Sequence, residues 1–283
     1  MSAEGTGLDA APDAGPDAGP DAGPDAGLDA ALDAALEEFA ARGRVLVALD
    51  FDGTLAPIVD EPSAARALPA AAAALERLAA TTDVALVSGR ALEDLRERAQ
   101  APAAVVLVGG HGTRSSLDED AAPLPPERAA LLARLGEELD ALAAGREGVH
   151  VERKPVSAVL HTRRAAREVA AEVSALALSG PGALPGVHAM RGKEVVELGA
   201  VELGKGGGLR RLRERLSAAG APVEAVLFAG DDVTDEDAFA VLSPAAGDVG
   251  VKVGGGPSAA RHRVGSPEDV ARLLTRLARL RER

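Results

Sequence analysis

Asp50 and Asp52 stand two residues apart in the stretch VLVALDFDGTLAP, Val45 to Pro57. The apolar run Val45 to Leu49 has the composition of a strand buried on both faces of a parallel sheet, and it stops abruptly at Asp50. Gly53 and Thr54 follow at once, so the loop leaving the strand can fold back and aim several backbone N–H groups into one concavity. Such a concavity attracts an anion, yet two carboxylates beside an anion repel it unless a divalent cation or a shared proton offsets the charge. The stretch therefore predicts metal-assisted chemistry on a phosphate. The plainer alternative is a solvated turn, because Asp and Gly are turn residues in any protein.

Three further stretches repeat the pattern of apolar run, polar residue and helix start. Val84 to Val87 ends in Ser88-Gly89-Arg90, Gly204-Lys205-Gly206 opens a helical stretch, and Ala225 to Ala229 ends in the acidic loop Gly230 to Asp237. Each has an ordinary explanation: Ser88 as a helix N-cap, Lys205 as a solvated lysine, the acidic loop as carboxylates favoured by a helix dipole. Their common position is the stronger argument, since open α/β sheets gather their chemistry beyond the carboxyl ends of the strands.

The elements needed to bring these residues together are legible from the hydrophobic pattern. A short amphipathic helix is expected over Leu28 to Ala41, then helix Pro69 to Ala80, a helix starting near Ala91 and a strand Val105 to Val108 closed by Gly109-Gly110-His111-Gly112. From Thr113 to Glu202 the character changes. A Pro-rich connection leads to a helix over Glu127 to Ala144, strands Val149 to Arg153 and Val156 to His161, a helix from Arg164 to Ala177, and strands Val187 to Met190 and Glu194 to Leu198. Two antiparallel pairs with two helices make a self-contained α+β layer. The earlier pattern then returns, with a helix from Gly204 to Ala219, a helix from Ala238, a last strand Val249 to Val253 and a closing helix Pro267 to Leu280. The fold class is thus α/β, a largely parallel sheet assembled from both ends of the chain with an inserted α+β cap. The expected divisions are 1–43 as tail and lead-in helix, 44–112 and 203–283 as core, and 113–202 as cap. Four Pro-Asp-Ala-Gly repeats between Pro12 and Gly27 offer no apolar face and read as disordered.

Composition narrows the partners. With 283 residues the chain can bury a substantial core. Its net charge of −13 and 1% aromatic content, with no Trp or Tyr, argue against nucleic acid or an anionic membrane surface. The absence of cysteine excludes disulfides and a thiolate nucleophile. No apolar run approaches the roughly 18 to 20 residues that span a bilayer, and the N-terminus lacks the pattern of a secretory signal, so cytoplasmic residence is the expectation. A Gly-x-Gly-x-x-Gly fingerprint is missing after the first strand, and the runs Gly206 to Gly208 and Gly254 to Gly256 read as loops, which sets a dinucleotide-binding domain aside.

Asp50-Phe51-Asp52-Gly53-Thr54, Ser88, Lys205 and the acidic loop resemble, in order and spacing, the four motifs of the haloacid dehalogenase (HAD) superfamily. The wording is more specific still: DFDGTLAPI from Asp50 and GDDVTDEDAF from Gly230 are similar to the first and last motifs of the trehalose-6-phosphate phosphatases. The resemblance implies a Rossmannoid core with a C2-type cap, Mg2+ as cofactor, a sugar phosphate as substrate and a functional link to trehalose-6-phosphate synthase; a monomer is the expectation, although the sequence itself carries no signal of oligomeric state. It implies Asp50 as nucleophile and Asp52 as general acid and base. Thr54, Ser88 and Lys205 would hold the phosphate. Asp50, Asp231 and the Asp52 carbonyl would hold the metal, Asp232 would belong to the same shell, and Asp235 would orient Lys205 or the metal's water.

In the cap, Glu152, Lys154, Ser157, His161 and Arg163 match the family's disaccharide-binding segment, and Gly110-His111-Gly112 fits as well. Those cap residues read equally as the polar face of a half-exposed sheet. His150, His188 and His262 are treated as structural. Between Glu197 and Lys205 the family commonly carries Arg-Pro where this chain has Leu198-Gly199-Ala200. The rival readings are a phosphatase for sucrose phosphate, a mannosyl-glycerate phosphate or a hexose phosphate, a mutase on the same scaffold, and a non-catalytic sugar-phosphate sensor.

Overall fold

The computed structural model describes residues 28–117 and 124–283, so the Pro-Asp-Ala-Gly repeats fall outside the described residues. Helix α1 (Ala30–Ala40) is capped by Asp29, whose carboxylate accepts from the N–H groups of Ala31 and Leu32, and it buries Leu32, Leu36 and Phe39. Strand β1 (Val45–Leu49) is buried at every residue. Val45, Val47 and Leu49 pack on one face of the sheet and Leu46 and Ala48 on the other, which is why the run shows no alternation. Helix α2 (Pro69–Ala79), strand β2 (Asp83–Val87), helix α3 (Leu92–Ala99) and strand β3 (Val106–Gly109) follow. Strand β4 (Arg114–Ser115) then pairs antiparallel with β3. The first core segment thus runs past the boundary expected at residue 112, on a strand too short to leave a periodic signal.

The cap comprises helix α4 (Pro126–Ala143), strands β5 (His150–Arg153) and β6 (Ser157–His161), helix α5 (Arg167–Ser179), and strands β7 (His188–Gly192) and β8 (Val195–Gly199). Its strands form an antiparallel sheet in the order β5-β6-β8-β7. Leu160 and Leu198 on one sheet face pack against Leu135, Leu139 and Val173 of the helices. The alternation of strands leaves Ser157, His161 and Glu197 on the other face.

The chain returns through helix α6 (Gly204–Ala218), strand β9 (Ala225–Gly230), helix α7 (Glu236–Ala240), strand β10 (Val249–Val253), strand β11 (His262–Val264) and helix α8 (Pro267–Arg281). The core sheet has the order β11-β10-β9-β1-β2-β3-β4 and is parallel apart from β3–β4. β11 corrects the expectation that β10 is the last strand; three residues, HRV, carry too little apolar pattern to announce it. The chain reverses direction of travel across the sheet at β1, which is flanked by β2 and β9. A crevice therefore opens there at the strands' carboxyl ends.

Gly206 to Gly208 corrects a second expectation, because these residues lie within α6 rather than in a loop. A Cβ on Gly206 would stand 2.3 Å from the Asp237 carbonyl oxygen, and one on Gly208 would stand 2.6 Å from Gly112 Cα. The glycines let the start of α6 press against the loop at Gly112 and against helix α7, at the cost of weaker intrinsic helix propensity.

Candidate active site

Asp50 and Asp231 leave the carboxyl ends of β1 and β9, neighbouring strands in parallel register. Carboxylate oxygens of Asp50, Asp231 and Asp235 lie within 4.8 Å of one another. Lys205, near the start of α6, stands between two of them, its Nζ 2.9 Å from Asp50 Oδ1 and 2.7 Å from Asp235 Oδ1. The other Asp235 oxygen accepts from the Asp232 N–H at 2.9 Å, so the loop is folded around that side chain. Thr54 donates to Asp231 Oδ1 at 3.3 Å. Gly53 makes this approach possible: its φ is +71°, and a Cβ there would lie 2.1 Å from Asp231 Oδ2.

The electrostatics expose a shortage of positive charge. Burial pushes the Asp50 carboxyl up to about 7 against the pull of Lys205, and Asp235 adds to the push. Burial, reinforced by Asp235, also raises Asp231. Burial works against the charge on Lys205, but Asp50 and Asp235 outweigh it and hold the ammonium above its ordinary range. Three clustered carboxylates share one ammonium. An all-oxygen, anionic donor set of this kind fits a hard dication such as Mg2+.

Asp52, Ser88, His111 and Asp232 line the same cavity of about 600 Å³ as Asp50 and Lys205. Ser88 is buried at the end of β2, and its hydroxyl accepts from the Arg90 N–H at 3.2 Å. Gly110, His111 and Gly112 all have positive φ, at 58°, 53° and 91°. For histidine this is a strained conformation. It is held by the bond from His111 N–H to the Ser88 carbonyl and by packing of the imidazole over Gly89. Burial, with the charge of Lys205, lowers the His111 pKa and favours the neutral ring. Asp232 stands apart from the carboxylate trio, its side chain accepting from Val233 N–H and the Thr234 hydroxyl.

The cap residues divide into two groups. Ser157 donates to Glu197 Oε1 at 2.6 Å and Lys154 reaches the same oxygen at 3.2 Å. Glu197 lines a cleft of about 250 Å³ between cap and core, together with Met190 and Arg191 from β7 and His111 and Lys205 from the core. Glu152, His161 and Arg163 are not among the residues lining that cleft. Glu152 and His161 pair with each other at 2.9 Å, and Arg163 is exposed beyond the end of β6. His150, expected to be merely structural, stacks on His161 with ring centroids 4.6 Å apart.

Three residues at or near the site escaped the sequence reading, and each had a signal. Lys252 is a cation inside the buried strand VGVKV, and its Nζ donates to the carbonyls of Asp231 and Asp232 at 2.5 and 3.2 Å. Glu197 is a buried acid inside the mostly apolar run VVELG. Arg90 directly follows Ser88-Gly89, and its guanidinium grips Asp52.

A family model described as trehalose-phosphatase matches residues 48–267, which takes in both strand-end motifs and the whole cap. The chain belongs to the trehalose-phosphatase family. Among relatives of this family, a trehalose-phosphate phosphatase of Mycobacterium avium is 39% identical over 201 residues, 68% of this chain and 50% of that protein. A trehalose-phosphate phosphatase of Mycobacterium tuberculosis is 36% identical over 252 residues, 83% of this chain and 62% of that protein. The chain therefore spans between half and about three-fifths of the length of these relatives. The solved structure of Aspergillus fumigatus trehalose-6-phosphate phosphatase superposes with a TM-score of 0.66 at 27% identity, covering 89% of this chain and 100% of that one. The C-terminal domain of a Candida albicans trehalose synthase regulatory protein shares the fold at 15% identity and a TM-score of 0.55, covering 86% of this chain and 97% of that one. In the trehalose-phosphatase family the parallel core and inserted cap are thus the HAD-like architecture that the motifs imply. No helix among the described residues is long and apolar enough to cross a membrane.

Proposed function

We propose that this chain hydrolyses trehalose 6-phosphate to trehalose and inorganic phosphate through an aspartyl-phosphate on Asp50, with Mg2+ as cofactor. The observation that carries the reading is the meeting of Asp50, Asp231 and Asp235 around Lys205 at a cavity beyond the carboxyl ends of the core strands. A family of phosphatases acting on this disaccharide phosphate supplies the substrate class.

Asp50 would attack phosphorus in line, forming an Asp50 O–P bond while the bond from phosphorus to the sugar oxygen breaks. The departing oxygen keeps the electron pair and takes the proton of Asp52. A water then attacks phosphorus, gives a proton to Asp52, and the Asp50 O–P bond breaks to release phosphate. Lys205 uses two of its three N–H donors on Asp50 and Asp235, which leaves one for a phosphate oxygen. Ser88 and the loop N–H groups after β1 would take others. Held by Asp50, Asp231 and the Asp52 carbonyl, with Asp235 beside them, Mg2+ would offset a repulsion between nucleophile and phosphate of roughly 4 kcal/mol at 4 Å and an effective dielectric of 20. Glu197, with Lys154 and Ser157 behind it, is placed to accept a sugar hydroxyl in the cleft beneath the cap.

The test is phosphate release from trehalose 6-phosphate, sucrose 6-phosphate and glucose 6-phosphate, with Mg2+ and with EDTA. Metal-dependent turnover that favours trehalose 6-phosphate supports the reading. Equal turnover of all three would remove the disaccharide claim, and no turnover of any would favour a sensor.

A further inference from the structure

Arg90 makes a bidentate pair with Asp52, Nε to Oδ2 at 2.6 Å and Nη2 to Oδ1 at 2.7 Å. The guanidinium is itself fixed from several sides. Its Nη1 donates to Asp94 Oδ2 at 2.6 Å, Nη2 also donates to the Pro62 carbonyl at 2.9 Å, and its centre lies 5.7 Å from the centroid of the Phe51 ring. Asp94 is held in turn by Arg98, which also donates to the Ser63 carbonyl. Four of the five N–H donors of Arg90 are therefore committed, two of them to Asp52. With a single N–H left, Arg90 has no free fork for a phosphate unless it releases Asp52. Both residues line the cavity, Asp52 with its side chain 33% exposed and Arg90 with only 12% of its side chain exposed.

We infer that Arg90 is a positioning residue that aims the Asp52 carboxyl at the oxygen leaving phosphorus, through the Arg90–Asp52 fork and the Asp94, Pro62 and Phe51 contacts that hold it rigid. The inference rests on the phosphatase reading above and goes beyond it, because no role for Arg90 follows from the four motifs. The physical basis is geometric. Asp52 follows the strand on a loop, and without the fork its carboxyl can rotate about two side-chain bonds, so the proton donor is off line for much of the time. The guanidinium also stabilises the carboxylate that remains once the proton has passed to the sugar oxygen.

A leaving-group comparison tests this. An alkyl phosphate such as trehalose 6-phosphate or glucose 6-phosphate needs a proton on its departing oxygen, whereas p-nitrophenyl phosphate releases a stable phenolate without one. Arg90→Ala should lower kcat on the alkyl phosphate by about a hundredfold and on p-nitrophenyl phosphate by less than about fivefold, the signature of a misplaced acid. Asp52→Asn should give the same asymmetry, and Arg90→Ala placed on Asp52→Asn should add nothing further. Arg90→Lys, which keeps charge but not the fork, should fall between wild type and Arg90→Ala, and it serves if the alanine variant does not fold.

Equal losses on both substrates for the Arg90 variants, with the asymmetry retained in Asp52→Asn, would overturn the inference alone. So would a further loss when Arg90→Ala is added to Asp52→Asn, since Arg90 would then act on phosphate or fold independently. If Asp52→Asn itself lost equally on both substrates, the acid role of Asp52 and the inference would fall together.

Discussion

Thr54 donates a hydrogen bond to Asp231 at 3.3 Å, although 177 residues separate them in the chain. The contact exists because β1 and β9 are adjacent parallel strands whose carboxyl ends finish level with one another. It makes one acidic cluster out of two loops that are each unremarkable alone, and several expectations follow from that closeness.

Asp50→Asn should abolish turnover of sugar phosphates, by about a thousandfold or more, because the amide is a poor nucleophile toward phosphorus. It should not unfold the protein, since it removes one of three crowded carboxylates. Phosphate release and thermal melting on the same preparation check both parts; retained turnover in the variant would exclude Asp50 as the nucleophile.

Asp231→Asn should weaken Mg2+ binding by about tenfold or more. Calorimetric titration of the metal into the EDTA-treated protein reads this without reference to activity. In the absence of metal the variant should melt no lower than wild type, as a partly buried carboxylate has been replaced by a neutral group. Undiminished metal affinity would place the ion elsewhere.

The metal-free protein should lose stability as pH rises from about 4 to about 7. The folded pKa of Asp50, pushed up to about 7 by burial, lies above its unfolded value, so the folded state holds a proton that the unfolded chain releases above about pH 4. The stabilising contribution is complete below the unfolded pKa and is gone above the folded one. Mg2+ favours the carboxylate, so its stabilising effect on the urea midpoint should be larger at pH 8 than at pH 5.5. Asp50→Asn should flatten that difference; an identical metal increment at both pH values would count against it.

Gly53→Ala should reduce both stability and turnover. The added Cβ would meet the Asp231 carboxylate and would occupy a positive φ, a strain of about 1 to 3 kcal/mol before any loss of metal binding. A melting curve and a Mg2+ titration separate the two effects: a fall in melting temperature with unchanged metal affinity would mean that Asp231 moves aside without consequence.

Glu197→Gln should raise KM for trehalose 6-phosphate by about tenfold while changing p-nitrophenyl phosphate turnover little, because the aryl substrate has no hydroxyls for the cap to bind. Steady-state kinetics on both substrates decides this. Equal effects on the two would make Glu197 a structural partner of Ser157 and Lys154 only.

The sequence by itself determined that β1, β2 and β9 are buried, because an apolar run that ends at a polar residue is a local pattern that needs no partner to be read. It also offered Asp50, Asp52, Asp231, Asp232 and Asp235 as one candidate set, since they follow two apolar runs in stretches of recognisable wording, and the fold brought Asp50, Asp231 and Asp235 of that set within 4.8 Å of one another. Only the tertiary structure decided that Arg90 is spent on Asp52 and that Lys252 lies beneath the acidic loop. It likewise decided that Glu197, rather than Glu152, lines the cleft between cap and core. Those facts depend on which strands are neighbours and which way a side chain turns within a sheet. The two-residue alternation of a strand says that two faces exist, and only packing against α4 and α5 decides which of them is left to meet the core.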